Sequence, residues 1–264
     1  MPQPSDASNR PRFSGNLDLA VERFFTPRKS PPTRRDDALL NKGVRLSANC
    51  ALAGTTWGDG PTVLLAHGWE SRGTHWGILI GTLAEAGFRA VAVDAPAHGD
   101  SPGTTANMLQ YARALVQVGL ELGPLAGIVG HSFGAGAAAI ALRRGLAVER
   151  AVVISSPSSI VALVERWGRH HGMNEAELPQ FLELVARQVG CSMEELDLST
   201  VARNLKQPAL VIHDRDDQDI PMCEGQAVAE AWPGAKLLLT ERYGHRRILL
   251  ARPVQQEVLS FLGR

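Results

Sequence analysis

The sequence predicts an α/β fold: a mostly parallel sheet flanked by helices, with a small helical cap inserted after the strand near 151–155. Three observations carry this expectation. First, short apolar runs recur at Thr62 to Ala66, Phe88 to Val93, Leu125 to Val129, Ala151 to Ile154, Ala209 to Ile212 and Lys236 to Leu239. Runs this short, bounded by Gly, Pro or polar residues, suit strands buried on both faces of a parallel sheet. Second, helix-period stripes lie between the runs, as at Trp76, Leu79, Ile80 and Leu83, and at Met108, Tyr111, Leu115, Val118 and Leu122. A terminal stripe follows at Val254, Val258, Phe261 and Leu262. Strands alternating with helices mean βαβ units with right-handed crossovers. Third, about fifty residues separate the strand near Val152 from the one near Val211, too many for a single crossover helix. Ile160 to His171, Glu175 to Val189 and Met193 to Leu205 each read as helical there.

Taken in order, residues 1–12 are rich in Pro, Ser and Asn and read as disordered. Asn16 to Phe25 has the spacing of a short helix, and Thr26 to Asp37 is a basic, Pro-rich connector that reads as a solvated loop. Leu39 to Thr56 holds one or two antiparallel edge strands, closed by a turn at Gly58-Asp59-Gly60. The expected organisation is a flexible N-terminal segment over 1–37, a core over 38–159 and 206–264, and a cap over 160–205.

Composition narrows the classes of function. The chain has 264 residues, 44% hydrophobic and 20% charged, with a formal net charge of +0. That length supports one sizeable core. The balanced charge offers no footprint for nucleic acid or an anionic membrane. No run of 18 apolar residues occurs, and the opening MPQPSDASNRPRFSG lacks the apolar centre of a secretory signal. Cys50, Cys191 and Cys223 lie far apart, in neither a metal spacing nor a disulfide framework. A cytoplasmic setting with free thiols is the expectation.

The stretch most informative about chemistry is Leu125 to Leu142, LAGIVGHSFGAGAAAIAL. An apolar strand leads into Gly130-His131-Ser132-Phe133-Gly134, and an Ala- and Gly-rich helix follows. A G-x-S-x-G between strand and helix is the nucleophile elbow pattern: its turn is too sharp for side chains two positions either side of the serine. The helix that starts there favours negative charge at its N-terminus. A serine hydroxyl also needs a base, and the base an orienting acid. Both candidates follow later strands. His213-Asp214-Arg215-Asp216-Asp217-Gln218-Asp219-Ile220-Pro221 comes after one, and Thr240-Glu241-Arg242-Tyr243-Gly244-His245 after the next.

The order Ser, Asp, His resembles the α/β-hydrolase superfamily, of the serine hydrolase or esterase type with a helical cap. Over about residues 60–264, the resemblance rests on His67-Gly68-Trp69, Asp94 to Ser101, the elbow, Asp214 to Pro221 and Gly244-His245. It implies Ser132 as nucleophile, His245 as base and Asp217 as acid, with Asp216 the alternative. Asp217 lies four residues before Pro221, as the family's acid commonly does, but Asp214 stands where the family usually has glycine. The resemblance further implies an oxyanion hole from the backbone N–H groups of Phe133 and Trp69. Trp69, His131, Trp167, His170 and Phe181 are the candidates for substrate contact. The turn over Asp94 to Ser101 is expected to be structural.

The expected reaction is hydrolysis of a carboxylic ester of a small molecule through an acyl-enzyme, with no metal or organic cofactor. Thioester, lactone, amide or carbon–carbon cleavage and peracid formation on the same residues are alternatives, as is a binding module without turnover. The only expected partner is the small-molecule substrate, and the sequence does not fix an oligomeric state.

Overall fold

A computed structural model describes residues 15–47 and 50–263. The expected disorder over 1–12 lies outside them. The chain opens with helices α1 (Leu17–Phe25) and α2 (Arg34–Leu40), then strands β1 (Val44–Arg45), β2 (Gly54–Trp57) and β3 (Thr62–Ala66). Next come α3 (Gly77–Glu85), β4 (Arg89–Val93), α4 (Met108–Leu122), β5 (Leu125–His131), α5 (Phe133–Arg143) and β6 (Val148–Ile154). Helices α6 (Ile160–His170), α7 (Leu178–Val189) and α8 (Leu198–Ala202) fill the interval before β7 (Ala209–Asp214). The chain then forms α9 (Met222–Ala231), β8 (Lys236–Thr240), α10 (Gly244–Arg247) and α11 (Arg252–Leu262).

The strands make one eight-stranded sheet in the order β1-β2-β4-β3-β5-β6-β7-β8. β2 runs antiparallel to β1 and β4, and the pairs from β4 through β8 are parallel. Every residue of β3 and β7 is buried, as expected of strands covered on both faces. Alternation divides them between two cores: Leu64 and Ala66 join the side of α4 and α5, and Val63 and Leu65 the side of α3 and α11. Each fully buried Leu or Ile contributes about 1.5–3 kcal/mol. β8 departs from the expectation of two-sided burial. It is the sheet's edge, and Leu237 there is exposed.

The short helix expected over Asn16 to Phe25 forms as α1, capped and packed rather than part of a flexible segment. Asn16 Oδ1 accepts the Leu19 amide, while Ala20, Val21 and Phe25 are buried. The connector holds a helix as well, because Thr33 and Asp36 form a reciprocal capping box that starts α2.

All five non-glycine residues with positive φ among the described residues follow carboxyl ends of strands: Glu70, Ala97, Ser132, Ser155 and Arg242. Such conformations cost roughly 1–3 kcal/mol each and cluster at functional edges. In open α/β sheets this edge is where ligands bind.

Candidate active site

Ser132 sits between β5 and α5 with φ 52° and ψ −116°. The turn depends on its flanking glycines. A Cβ on Gly130 would lie 2.6 Å from Ala135 Cα, and one on Gly134 would run into the Ala66 carbonyl oxygen. Ser132 N donates to Ile154 O, tying the turn to β6. Every residue from Phe133 to Leu142 is buried, and small side chains let α5 seat closely against the sheet. The Ser132 carbonyl accepts the amides of Ala135 and Gly136. The amides before these, Phe133 first, have no acceptor within the helix and head its positive end.

Asp217 and His245 meet across the ends of β7 and β8. His245 Nδ1 donates to Asp217 Oδ2 at 2.8 Å. That bond places the ring proton on Nδ1 and leaves Nε2 with its lone pair. Asp217 Oδ1 accepts the amides of Asp219 and Ile220, both at 2.9 Å. A second ring, His213, donates from Nε2 to Ile220 O at 3.0 Å and lies 3.5 Å from Asp217 Oδ2. Burial alone would raise the Asp217 pKa, but hydrogen bonds from His213 and His245 outweigh it and hold the carboxyl far below the usual range. Asp216, the alternative acid, is exposed and accepts the Arg242 amide.

Asp214 explains the departure from glycine. Its carboxylate accepts from Gly244 N, Tyr243 N, Asp216 N and Thr240 Oγ1, at 2.7–3.2 Å. One buried side chain thus ties the loop of Asp217 to the loop of His245. Burial would raise its pKa, but these bonds hold it below the ordinary value, the Gly244 amide foremost.

His131 joins the strand that leads into Ser132 to His245. Its Nε2 donates to the His245 carbonyl at 2.8 Å, and the two rings lie 4.8 Å apart. Burial, and then the neighbouring His245, push its pKa down to about 3, so the ring is neutral.

The loop after β3 closes over the serine. A Cβ on Gly68 would lie 3.3 Å from Ser132 Cβ. Trp69, next in the chain, packs edge-on against Phe133 at 5.2 Å. His67 fixes the loop from beneath, donating from Nδ1 to Gly68 O and accepting the Ala95 amide at Nε2. Burial pushes its pKa down to about 3 as well. The turn over Asp94 to Ser101 ties backbone to backbone: the Asp94 carboxylate accepts the Gly73 and Asp100 amides.

Ser132 opens into a cavity of about 190 Å³. Trp69 and Phe133 line it near the serine. Ile160, Leu163, Trp167, Val185 and Val189 come from α6 and α7, and Phe24 and Phe25 from α1. Among the described residues no charged side chain lines it.

The sequence candidates therefore separate. Ser132, Trp69, Phe133 and Trp167 border one cavity; Asp217 and His245 pair with each other, joined to the cavity wall through Ile220, whose amide Asp217 accepts. Three expected substrate contacts fall elsewhere. His131 is buried behind the site because its ring is spent on the His245 carbonyl. Phe181 is packed inside the insert against Trp167. His170 is exposed at the end of α6, where the helix turns its polar side to solvent. Sequence reasoning missed Phe24, Phe25, His213 and the tie at Asp214. Only the paired aromatics ending an amphipathic helix offered a signal.

Residues 63–257 match the Alpha/beta hydrolase family. The chain is 34% identical over 147 residues to a pimeloyl-[acyl-carrier protein] methyl ester esterase of Nitrosospira multiformis, covering 52% of this chain and 53% of that protein. It is 39% identical over 72 residues to bifunctional epoxide hydrolase 2 of Sus scrofa, covering 27% of this chain and 13% of that protein. These matches thus span about half or less of each relative's length. Among solved structures, an esterase from Exiguobacterium antarcticum superposes with a TM-score of 0.64 at 20% identity, covering 84% of this chain and 100% of the other. With the sheet order, the elbow and a match over most of its length, the chain belongs to the alpha/beta hydrolase family.

Proposed function

We propose that the protein is a serine esterase that cleaves small carboxylic esters with a short, apolar acyl group. The observation that carries this reading is the His245 Nδ1 to Asp217 Oδ2 bond beside a strained Ser132 on the cavity wall. Ser132 Oγ attacks the acyl carbon, and His245 Nε2 takes its proton. Asp217 holds the ring in that tautomer and stabilises the imidazolium. The Phe133 and Trp69 amides receive the oxyanion. His245 then protonates the departing alcohol, and a water deprotonated by the same ring releases the acid and restores Ser132.

The cavity supports the acyl side of the reading. At about 190 Å³ it lies below the range of about 300–1,000 Å³ usual for drug-sized ligands, and an uncharged wall favours an uncharged acyl group. Three cysteines outside any disulfide support a cytoplasmic setting. Among the described residues no helix is long and apolar enough to cross a membrane.

The test is hydrolysis of a p-nitrophenyl ester series beside matched thioesters, lactones and amides. The expected result is turnover of short-chain esters, lowered about 10³–10⁴-fold by Ser132→Ala. Equal turnover by the variant, or turnover confined to another bond type, refutes the reading.

A further inference from the structure

The family match begins at residue 63, yet two segments before it reach the site. Helix α1 packs against α7 and ends in paired aromatics that border the same cavity as Ser132. Phe24 meets Trp167 and Phe181 edge-on, at 5.4 and 5.8 Å, and so closes the cavity against the insert. Phe25 is buried, and its carbonyl accepts the Ala106 amide at 2.8 Å, anchoring the wall to the core.

The chain then runs from Phe25 to the loop that carries Trp69. Arg28 grips the Glu70 carboxylate with both arms of its guanidinium, Nε to Oε1 at 3.0 Å and Nη2 to Oε2 at 2.9 Å. The Arg28 amide adds a third bond to Oε1, and Ser30 Oγ donates to the Glu70 carbonyl. A two-pronged grip of this kind fixes direction as well as distance. Glu70 is the residue after Trp69 and has φ 52°. The arm is therefore fastened at both ends, one to the insert and one beside the proposed oxyanion donor.

We infer that residues 17–30 act as the acyl-length gauge of the active site: Phe24 and Phe25 end the pocket, and the Arg28–Glu70 pair moors them there. Acyl chains that reach past Phe24 are rejected by its ring, and shorter chains fit beneath it. The inference rests on the esterase reading above and assigns its specificity to a segment outside the family match.

The experiment measures kcat/KM for p-nitrophenyl esters from acetate to decanoate in the 264-residue protein and in Phe24→Ala, Phe24→Leu and Arg28→Ala. The decanoate-to-butyrate ratio of kcat/KM should rise at least about tenfold in Phe24→Ala and by less in Phe24→Leu. Arg28→Ala, whose side chain does not border the cavity, should raise the same ratio about threefold by loosening the arm. Thermal melts establish that each variant folds, and Phe24→Leu keeps the test open should Phe24→Ala not. A ratio unchanged in the folded Phe24 variants, or a uniform loss at every chain length, overturns the gauge. A ratio unchanged in Arg28→Ala alone overturns the mooring. If the wild-type protein hydrolyses no ester of the series, the gauge falls together with the esterase reading. Hydrolysis with an unaltered profile removes the gauge alone.

Discussion

Asp217 and Phe24 both border the region of Ser132, and different physics holds each in place. Asp217 is fixed by directional bonds from two backbone amides and His245, with Asp214 locking the two loops together. Phe24 is fixed by shape, through ring edges against Trp167 and Phe181. In the proposed mechanism the acid–base side sets a proton's position to within a bond length. The acyl side needs only a wall of suitable depth. Substitutions on the first side should lower kcat, and those on the second should redistribute substrates.

The largest expected break in this comparison is at the acid. Asp217→Asn should lower ester turnover about 10³–10⁴-fold, because an amide there can hold His245 in the wrong tautomer. Asp216→Asn should stay within about threefold, since the Asp216 side chain is exposed and its carboxylate accepts the Arg242 amide, a bond an asparagine oxygen can also accept. Steady-state kinetics on both variants check this, and the reverse ranking would make Asp216 the acid.

A smaller effect is expected at Asp214. Asp214→Gly removes the carboxylate and strands the amides of Gly244, Tyr243 and Asp216. It should cost about 3 kcal/mol of stability and lower kcat about tenfold with KM little changed. Urea unfolding and kinetics read the two effects separately. A stability equal to wild type would show that the tie is dispensable.

On the acyl side, Trp167→Ala should raise KM for p-nitrophenyl butyrate about tenfold while kcat falls less than threefold. A loss confined to kcat would place Trp167 on the wrong side of the comparison.

A separate effect is on stability against pH, and it belongs to the acid–base side and the Trp69 loop. His67 and His131 stay neutral in the folded protein down to about pH 3, whereas in the unfolded chain they protonate below about 6.5. Between those values the unfolded state binds more protons, so stability falls as pH falls. The slope should approach roughly two protons near pH 5. Asp214 and Asp217, held below their unfolded pKa, stabilise above about pH 4, and that contribution is lost as pH falls through their folded values. Urea unfolding from pH 7 to 4 measures it, and a flat profile would contradict neutral burial of the two histidines.

The same contrast explains what the sequence disclosed. Gly130, Ser132, Gly134 and the Asp217–Pro221 spacing were legible because sharp turns at strand ends accept few residue types. The parallel strands were legible because two-sided burial leaves short apolar runs, and β8 misled only because an edge strand keeps the same composition. The cavity was not legible. Its wall draws on α1, α4, α6 and α7, and apolar residues serve equally as wall or core. His170 and Phe181 looked as suitable as Trp167, and only packing separates them. Asp214 and His131 hid their ties because partners such as the Gly244 amide and the His245 carbonyl are backbone groups on a loop distant in sequence.

The central claim is that Ser132 is the nucleophile activated by the His245–Asp217 pair. The most direct measurement is labelling of the folded protein with a fluorophosphonate, followed by peptide mass mapping. The account predicts one adduct per chain on Ser132, lost in Ser132→Ala and formed at least about 10²-fold more slowly in Asp217→Asn. Absence of the adduct from folded wild-type protein, or an adduct on another serine, would contradict it.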